Sequence, residues 1–194
     1  MNSNNNFDLN YKIPKPKNYK KYNIGIIGAG DIVENSHLPA YLENNLNITN
    51  IFDIDESKSK YLKDKFNIEK YSCNLEEFLQ DKDIDIVDIA VPAKYNKELF
   101  FETLKFNKNI LIQKPLADNL ETGLDILKKY KESNLKANVN HQMRYSPAIR
   151  AASYLINSKM LGNILEFNFF TKRKTDWSKW PWLKELDYPE LWYN

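Results

Sequence analysis

The sequence has little of several residue types, and each shortage excludes a class of protein. It has one cysteine, Cys73, which excludes an internal disulfide framework, favours a cytoplasmic location and is interpreted as a small buried residue. One cysteine and two histidines, His37 and His141, are too few soft ligands for a structural zinc site, so we expect no metal centre. No apolar run approaches the roughly 18–20 residues that a membrane-spanning helix needs, so we expect no membrane partner.

The chain also lacks a charge of one sign. Lysine and arginine number 28 and aspartate and glutamate 26, which gives a formal net charge of +2. This balance provides no electrostatic basis for nucleic acid as a main partner, and the basic run 172–174 is interpreted as a solvated strand end. The hydrophobic fraction of 42% is high enough to predict a packed core.

Residues 1–21 are predicted to form an N-terminal arm. They contain no apolar segment of the kind found in a secretory signal, and they are rich in asparagine with prolines at Pro14 and Pro16. Two interpretations stay open for this arm: a disordered tail, and an arm that wraps a partner subunit.

From residue 22 onward, strand and helix signals alternate. This alternation predicts an α/β fold with a doubly wound parallel sheet over 22–145. Asn74 followed by Glu77, and Asp118 followed by Glu121, are capping signatures that predict helix starts. The predicted strands are 22–28, 48–54, 84–91, 109–113 and 136–140. The predicted helices include 56–67, a short helix ending at residue 80, 97–106 and a helix starting at residue 118. In the last of these helices, Leu120, Leu124 and Leu127 share a face.

Three of the five glycines lie where the first strand turns into the first helix. Gly28 permits a tight turn, and Gly30 lets backbone N–H groups approach a pyrophosphate at the helix N-terminus. We therefore predict Gly28, Gly30, Asp31 and Ile32 as cofactor-binding residues. Val33 stands at the third small position of this dinucleotide fingerprint and is expected to hold helix and strand further apart.

An acidic residue completes the pattern. Asp53 lies 53 − 28 = 25 residues after Gly28, at the end of the second predicted strand, where a carboxylate binds the adenosine ribose hydroxyls. A carboxylate there also repels a 2′-phosphate, so the sequence favours NAD over NADP as cofactor. Asp55 is close enough to take the same role, and this alternative stays open.

Four segments in this order resemble one enzyme family. GIIGAGDIVENSHLPAY at 25–41, DIDIVDIAVP at 83–92, ILIQKPLA at 110–117 and NHQMRYSPA at 140–148 are similar to the oxidoreductases that include glucose–fructose oxidoreductase, inositol dehydrogenase and MocA. The resemblance implies a Rossmann domain followed by an α/β domain that selects the substrate and often oligomerises, so a homo-oligomer is expected. It also implies oxidation or reduction of a CH–OH carbon in a sugar, polyol or nucleotide-sugar substrate.

The resemblance bears on three further residues. Lys114 matches the lysine of the family's Glu-Lys-Pro pattern and is implied to bond the reacting oxygen as the catalytic residue, although a surface lysine would have the same sequence. Gln113 replaces the glutamate; it keeps the ability to bind a ribose hydroxyl and lacks the negative charge. Asn96 stands where the family often has histidine.

Three more candidates follow from their places in the chain. Pro92 ends a predicted strand beside the cofactor groove. Arg144 and Tyr145 follow the last predicted strand, where they reach cofactor or substrate; the alternative for Arg144 is a structural ion pair with a nearby acid.

His37, in the His-Leu-Pro segment, either lines the substrate side or packs the first helix, and packing is favoured; Pro39 bends that helix or marks its start. Residues 146–194 are predicted to begin an incomplete α/β second domain, with 163–175 as its first long strand. The chain ends before the Asp/His constellation that the family implies, and four tryptophans lie in its last 18 residues. We therefore expect a truncated chain, or fragment, that binds cofactor with little turnover. The alternative is a non-catalytic NAD-binding or partner-binding module.

Overall fold

The computed structural model describes residue 18 and residues 21–170. The predicted arm 1–21 lies outside the described residues, apart from Asn18 and Lys21, and so do the basic run 172–174 and all four tryptophans.

Six parallel strands form one sheet in the order β3–β2–β1–β4–β5–β6. The strands are β1 (Asn23–Ile27), β2 (Asn47–Phe52), β3 (Lys70–Ser72), β4 (Ile86–Ile89), β5 (Asn109–Gln113) and β6 (Ala137–Asn140). This is the doubly wound order of a dinucleotide-binding sheet, and it confirms the predicted fold class.

Helical segments connect the strands. The first connection contains a π-helical turn, Val33–His37, that runs directly into α1 (Leu38–Glu43), so Pro39 lies in the first turn of α1. The remaining helices are α2 (Glu56–Phe66), α3 (Leu75–Gln80), α4 (Asn96–Lys105), α5 (Leu120–Lys131) and α6 (Pro147–Asn157), with 3₁₀ turns at Ala93–Tyr95 and Gln142–Tyr145.

The strand order changes direction between β1 and β4. The chain adds β2 and β3 on one side of β1 and then crosses to β4 on the other side. In a sheet of this type, the connections that leave the two neighbouring strands diverge and open a crevice at their carboxyl ends. The residues that follow β1 and β4 therefore line the crevice where ligands of such sheets bind.

The core consists of two clusters of buried side chains that share the strands of the sheet. Successive residues of a strand point to opposite faces, so Ile26 belongs to one cluster and Ile27 to the other. Both side chains are fully buried, as expected for a parallel sheet whose faces are covered by helices.

Two local predictions are wrong, and one strand was not predicted. The sequence does not predict β3, because Lys70–Ser72 is too short to show an alternating apolar pattern. Helix α5 is capped by Asn119, whose side chain accepts a hydrogen bond from the Thr122 N–H, and not by Asp118. Cys73 is exposed rather than buried, since it lies in the loop between β3 and α3.

The predicted apolar face of α5 is largely exposed. Leu120 and Leu124 are more than half exposed, and the buried contact of this helix comes from Ile126 instead. An i, i+4 spacing places leucines on one face without determining whether that face meets the sheet.

The chain divides into two compact units, 1–152 and 153–194. The described part of the second unit contains the last turns of α6 and an exposed stretch, 163–170, that forms no strand. The predicted strand 163–175 is therefore wrong over 163–170, because a strand needs a neighbour to accept its backbone hydrogen bonds and no described segment pairs with it. Residues 171–175 lie outside the described residues, and the domain boundary at 145/146 stays a prediction.

Candidate functional site

The turn that leaves β1 requires glycine at its first position. Gly28 has φ +103°, a conformation that L side chains rarely adopt, and a Cβ there would lie 2.5 Å from the carbonyl oxygen of Ala90. The Gly28 N–H donates to the Phe52 carbonyl at 2.7 Å, which fixes the turn against the end of β2. This is the tight turn at the switch point that the glycine pattern predicts.

Gly30 differs from Gly28 in its surroundings. It is exposed, and a Cβ built on it would meet no described atom within 4 Å. The N–H groups of Val33 and Glu34 both donate to the Gly30 carbonyl, so helical hydrogen bonding begins there. The N–H groups of Asp31 and Ile32 precede those first bonds and have no carbonyl within the helix to bind. An open space beside free backbone donors fits an anionic group.

Asp53 follows β2 and binds the glycine turn directly. Its Oδ2 accepts from the Ala29 N–H at 2.7 Å, and its Oδ1 accepts from the Asp55 N–H at 2.9 Å. A carboxylate offers about four lone-pair sites, so these two bonds leave capacity for two hydroxyl donors. Asp53 is only partly buried, and such donors can reach it from solvent.

Asp55 has a different local role. Its side chain caps α2 by accepting from the Ser57 N–H at 3.1 Å and from the Ser57 hydroxyl. The hydrogen bond from the Ser57 hydroxyl lowers the pKa of Asp55 below its usual value. Capping explains this carboxylate without a ligand, which favours Asp53 as the ribose-binding acid.

The Lys114 segment follows β5 and accepts hydrogen bonds from a buried side-chain amide. Asn96, at the start of α4, is 1% exposed, and its Nδ2 donates to the carbonyls of Pro115 at 3.0 Å and Leu116 at 3.2 Å. The Gln113 side chain accepts from the Lys114 N–H at 3.1 Å, and the Lys114–Pro115 peptide is cis. Lys114 itself is exposed. Asn96 and Gln113 thus shape the loop that presents this lysine.

Pro92 and Arg144 follow β4 and β6, at the same carboxyl edge of the sheet. Pro92 is exposed and immediately precedes the 3₁₀ turn that begins at Ala93. Arg144 is exposed within the turn after β6, and its guanidinium forms no ion pair with any of residues 21–170. The alternative role of Arg144 as a structural ion-pair partner is therefore not observed there.

Sequence reasoning missed Asp88 of β4. This carboxylate is fully buried; its Oδ2 lies 2.6 Å from Nδ1 of His37 and accepts from the Tyr41 hydroxyl at 2.8 Å. His37 is 6% exposed, which confirms the prediction that it packs the first helical segment. The signal was present in the sequence, since Asp88 is an acidic residue inside the apolar run 84–91 and only a polar partner makes such a residue tolerable.

None of the helices in the part of the chain that the structure describes has the length and apolar character needed to cross a membrane. Among the same residues, no group of three or more His, Cys, Asp or Glu side chains is arranged to hold a metal ion.

The sheet order, the glycine turn at the switch point and the carboxylate after β2 together define a dinucleotide-binding Rossmann fold. Comparison with protein families agrees. The family model described as "Oxidoreductase family, NAD-binding Rossmann fold" (Gfo/Idh/MocA) matches residues 22–141. The chain belongs to this family, as the sequence resemblance predicts.

Individual relatives have low identity and greater length. The uncharacterized protein YMR315W of Saccharomyces cerevisiae is 28% identical over 172 residues, which cover 82% of this chain and 49% of that protein. A levoglucosan dehydrogenase in complex with NADH and levoglucosan superposes with a TM-score of 0.69 at 25% identity, covering 74% of this chain and 41% of that one. The myo-inositol dehydrogenase of Lactobacillus casei, in complex with NAD(H) and myo-inositol, gives 0.66 at 26%, covering 73% and 42%. The chain thus spans about half the length of these proteins, or less.

Proposed function

We propose that this chain is the cofactor-binding part of an NAD-dependent oxidoreductase that acts on a CH–OH group of a sugar, polyol or nucleotide-sugar. The observation that supports this most strongly is the bond from the Ala29 N–H to Asp53. This hydrogen bond holds the turn that suits a pyrophosphate next to the acid that suits a ribose. An ordinary strand–helix turn does not require such a bond.

Different residues bind different parts of the cofactor. The N–H groups of Asp31 and Ile32 bind the pyrophosphate over the open side of Gly30, and the two unused lone-pair sites of Asp53 accept the adenosine ribose hydroxyls. Pro92 contacts the cofactor through its ring and backbone. When bound, the cofactor supplies the acceptor or donor of a hydride.

The same arrangement favours NAD over NADP. In NADP a phosphate replaces the hydroxyl that Asp53 would accept, which brings two negative groups together at a partly buried position. Asp53 has no freedom to turn away, because the Ala29 and Asp55 N–H groups hold both of its oxygens.

Lys114 is the proposed catalytic residue. Its side chain would form a hydrogen bond with the reacting oxygen. In reduction the ammonium would give the proton to that oxygen, and in oxidation the neutral amine would take the hydroxyl proton. Gln113, which replaces the family's glutamate, cannot offer a charge to stabilise that ammonium, and Asn96 in place of histidine cannot titrate near neutral pH. These two replacements support the proposal that these 194 residues bind cofactor with little turnover.

The proposed substrate class is inferred from related proteins. The two enzyme complexes compared above contain levoglucosan and myo-inositol, each of them rich in hydroxyl groups. We extend that class to this chain as part of the proposal, together with a homo-oligomeric state and a cytoplasmic location. Light scattering coupled to size-exclusion chromatography tests the oligomeric state directly.

Isothermal titration calorimetry of the 194-residue chain with NAD⁺ and then with NADP⁺ tests the proposed cofactor. We expect saturable binding of NAD⁺ that is about tenfold or more tighter than that of NADP⁺, because of the repulsion at Asp53. Failure to bind either dinucleotide would contradict the proposal, and equal affinities would contradict the preference for NAD. Binding of NAD⁺ with little or no NADH formation in the presence of polyols is the result expected of these 194 residues, and steady-state NADH formation would contradict the proposed low turnover.

A further inference from the structure

We propose that His37 and Tyr41 are positioning residues for the dinucleotide site, which they support by binding the buried carboxylate of Asp88. The inference rests on the proposed function, because it concerns how the pyrophosphate-binding end of the first helical segment is held in place. Asp88 lies on β4, and its two partners lie on the π-helical turn and on α1.

The contacts show that one carboxylate oxygen serves both partners. Oδ2 of Asp88 is 2.6 Å from Nδ1 of His37 and 2.8 Å from the Tyr41 hydroxyl. Asp88 is fully buried and His37 is nearly so, and bulk solvent therefore does not reach this carboxylate. Removing either partner would leave a buried charge with half of its donors.

The direction of the hydrogen bonds follows from the surroundings. Burial, with a further contribution from the charge of Asp88, raises the pKa of Tyr41 well above its usual value, so its hydroxyl stays protonated and donates. With Asp88 ionised, Nδ1 of His37 is the second donor. Nε2 of His37 and Oδ1 of Asp88 are buried without a hydrogen-bond partner among the described residues. Unpartnered polar groups in the interior are costly, and packing of the helix alone does not require them.

Asp88 occupies a strand position that links it to the glycine turn. Ala90 lies two residues after Asp88, directly after the end of β4; its N–H donates to the Ile27 carbonyl at 2.8 Å, and its own carbonyl leaves no room for a Cβ at Gly28. The strand that shapes the turn is therefore the same strand that anchors the helical segment after it. The bonds to Asp88 therefore fix the distance between the glycine turn and the helical segment that follows it, which together form the proposed pyrophosphate site.

The π-helical winding makes such an anchor necessary. A π-turn is a weakly favoured geometry, and here it begins at Val33, where the dinucleotide fingerprint has a small residue. Val33 is fully buried, so the helix cannot approach the sheet as closely as it could with glycine there. The bonds to Asp88 hold His37, the last residue of the π-turn, against the sheet.

A pair of matched tyrosine variants tests this role. Tyr41→Phe removes the hydroxyl that binds Asp88. Tyr61→Phe is the matched control: Tyr61 is an exposed residue of α2, and its hydroxyl donates to Glu34 of the same π-turn at 3.1 Å. We expect Tyr41→Phe to weaken NAD⁺ binding about tenfold, the effect of one hydrogen bond to a charged group, with Tyr61→Phe unchanged. Both are measured by calorimetry at a temperature well below the unfolding midpoint of either variant.

A spectroscopic measurement covers the case in which Tyr41→Phe does not fold. The short bond to Asp88 should give the His37 Nδ1 proton a downfield resonance in the unmodified chain, which Asp88→Asn should shift upfield or abolish while weakening NAD⁺ binding. Equal NAD⁺ affinity for Tyr41→Phe and Tyr61→Phe, or an unchanged affinity in Asp88→Asn, would overturn the positioning role alone. Absence of NAD⁺ binding by the unmodified chain would instead overturn the proposed function.

Discussion

The backbone N–H of Ala29 donates a 2.7 Å hydrogen bond to the carboxylate of Asp53, although the two residues are 24 positions apart in the sequence. The bond means that the turn after β1 and the acid after β2 form one unit. A change to either residue therefore alters the geometry of the other, and cofactor binding and stability need to be measured separately for each variant.

The two glycines of the turn should respond differently to the same substitution. Gly28→Ala should destabilise the fold by more than about 2 kcal/mol, because of its positive φ and its contact with the Ala90 carbonyl. Gly30→Ala should leave the unfolding free energy within about 0.5 kcal/mol, since the new Cβ meets nothing, while it weakens NAD⁺ binding about tenfold by filling the approach to the pyrophosphate. Urea unfolding and calorimetry measure the two effects. A stable Gly30→Ala variant with unchanged NAD⁺ affinity would contradict the assigned site.

Asp53 and Asp55 provide a matched pair of carboxylates two residues apart. Asp53→Asn should weaken NAD⁺ binding about tenfold and reduce the preference over NADP⁺, because the amide loses the charge and its nitrogen cannot accept one of the two backbone N–H bonds that the carboxylate accepts. Asp55→Asn should change neither, since asparagine caps a helix about as well as aspartate does. Calorimetry with both dinucleotides measures this. The reverse result would assign the ribose to Asp55.

Asn96 should be essential to the shape of the Lys114 loop. Asn96→Ala leaves the carbonyls of Pro115 and Leu116 without their buried donor, and we expect a loss of about 2 kcal/mol in unfolding free energy together with a shifted Lys114 amide resonance. Asn119→Ala is the control: it removes the cap of α5, costs about 1 kcal/mol, and should leave that resonance in place. An unmoved Lys114 resonance in Asn96→Ala would show that the loop holds its own conformation.

The ion pair of Glu34 with Lys65 makes stability dependent on acid pH. The hydrogen bond from Lys65 lowers the pKa of Glu34 below the value of 4.5 that it has in an unfolded chain. A lowered carboxyl pKa stabilises the fold above the unfolded pKa, and this contribution is lost as the pH falls through the folded pKa. The unmodified chain should therefore have a higher urea midpoint than Glu34→Gln at pH 7, and the difference should shrink as the pH falls below 4.5. A midpoint difference that does not shrink as the pH falls below 4.5 would contradict this assignment.

Much of the fold follows from the sequence because its signals are local. The apolar strands, the capping of α3 by Asn74 and the glycine turn each depend on residues near one another in the chain. The exposed leucines of α5 and the unpaired stretch 163–170 depend on neighbours that a periodic pattern does not specify.

The candidate site was predictable to a similar degree. Gly28, Gly30 and Asp53 are positioned by a spacing that is visible in the sequence, and the structure brings them together. An acidic residue inside an apolar run indicates that Asp88 needs a polar partner, but the identity of its partners could not be predicted, because they are 47 and 51 residues away and meet it only when β4 is inserted beside β1. The buried amide of Asn96 joins segments 19 and 20 residues apart for the same reason.

The crystal structure of this chain in complex with NAD⁺ tests the central claim most directly. We expect density for the pyrophosphate at the backbone of Gly30, Asp31 and Ile32, and for the adenosine ribose hydroxyls within hydrogen-bond distance of the Asp53 carboxylate. NAD⁺ bound at another place, or bound here with its ribose directed away from Asp53, would contradict the account.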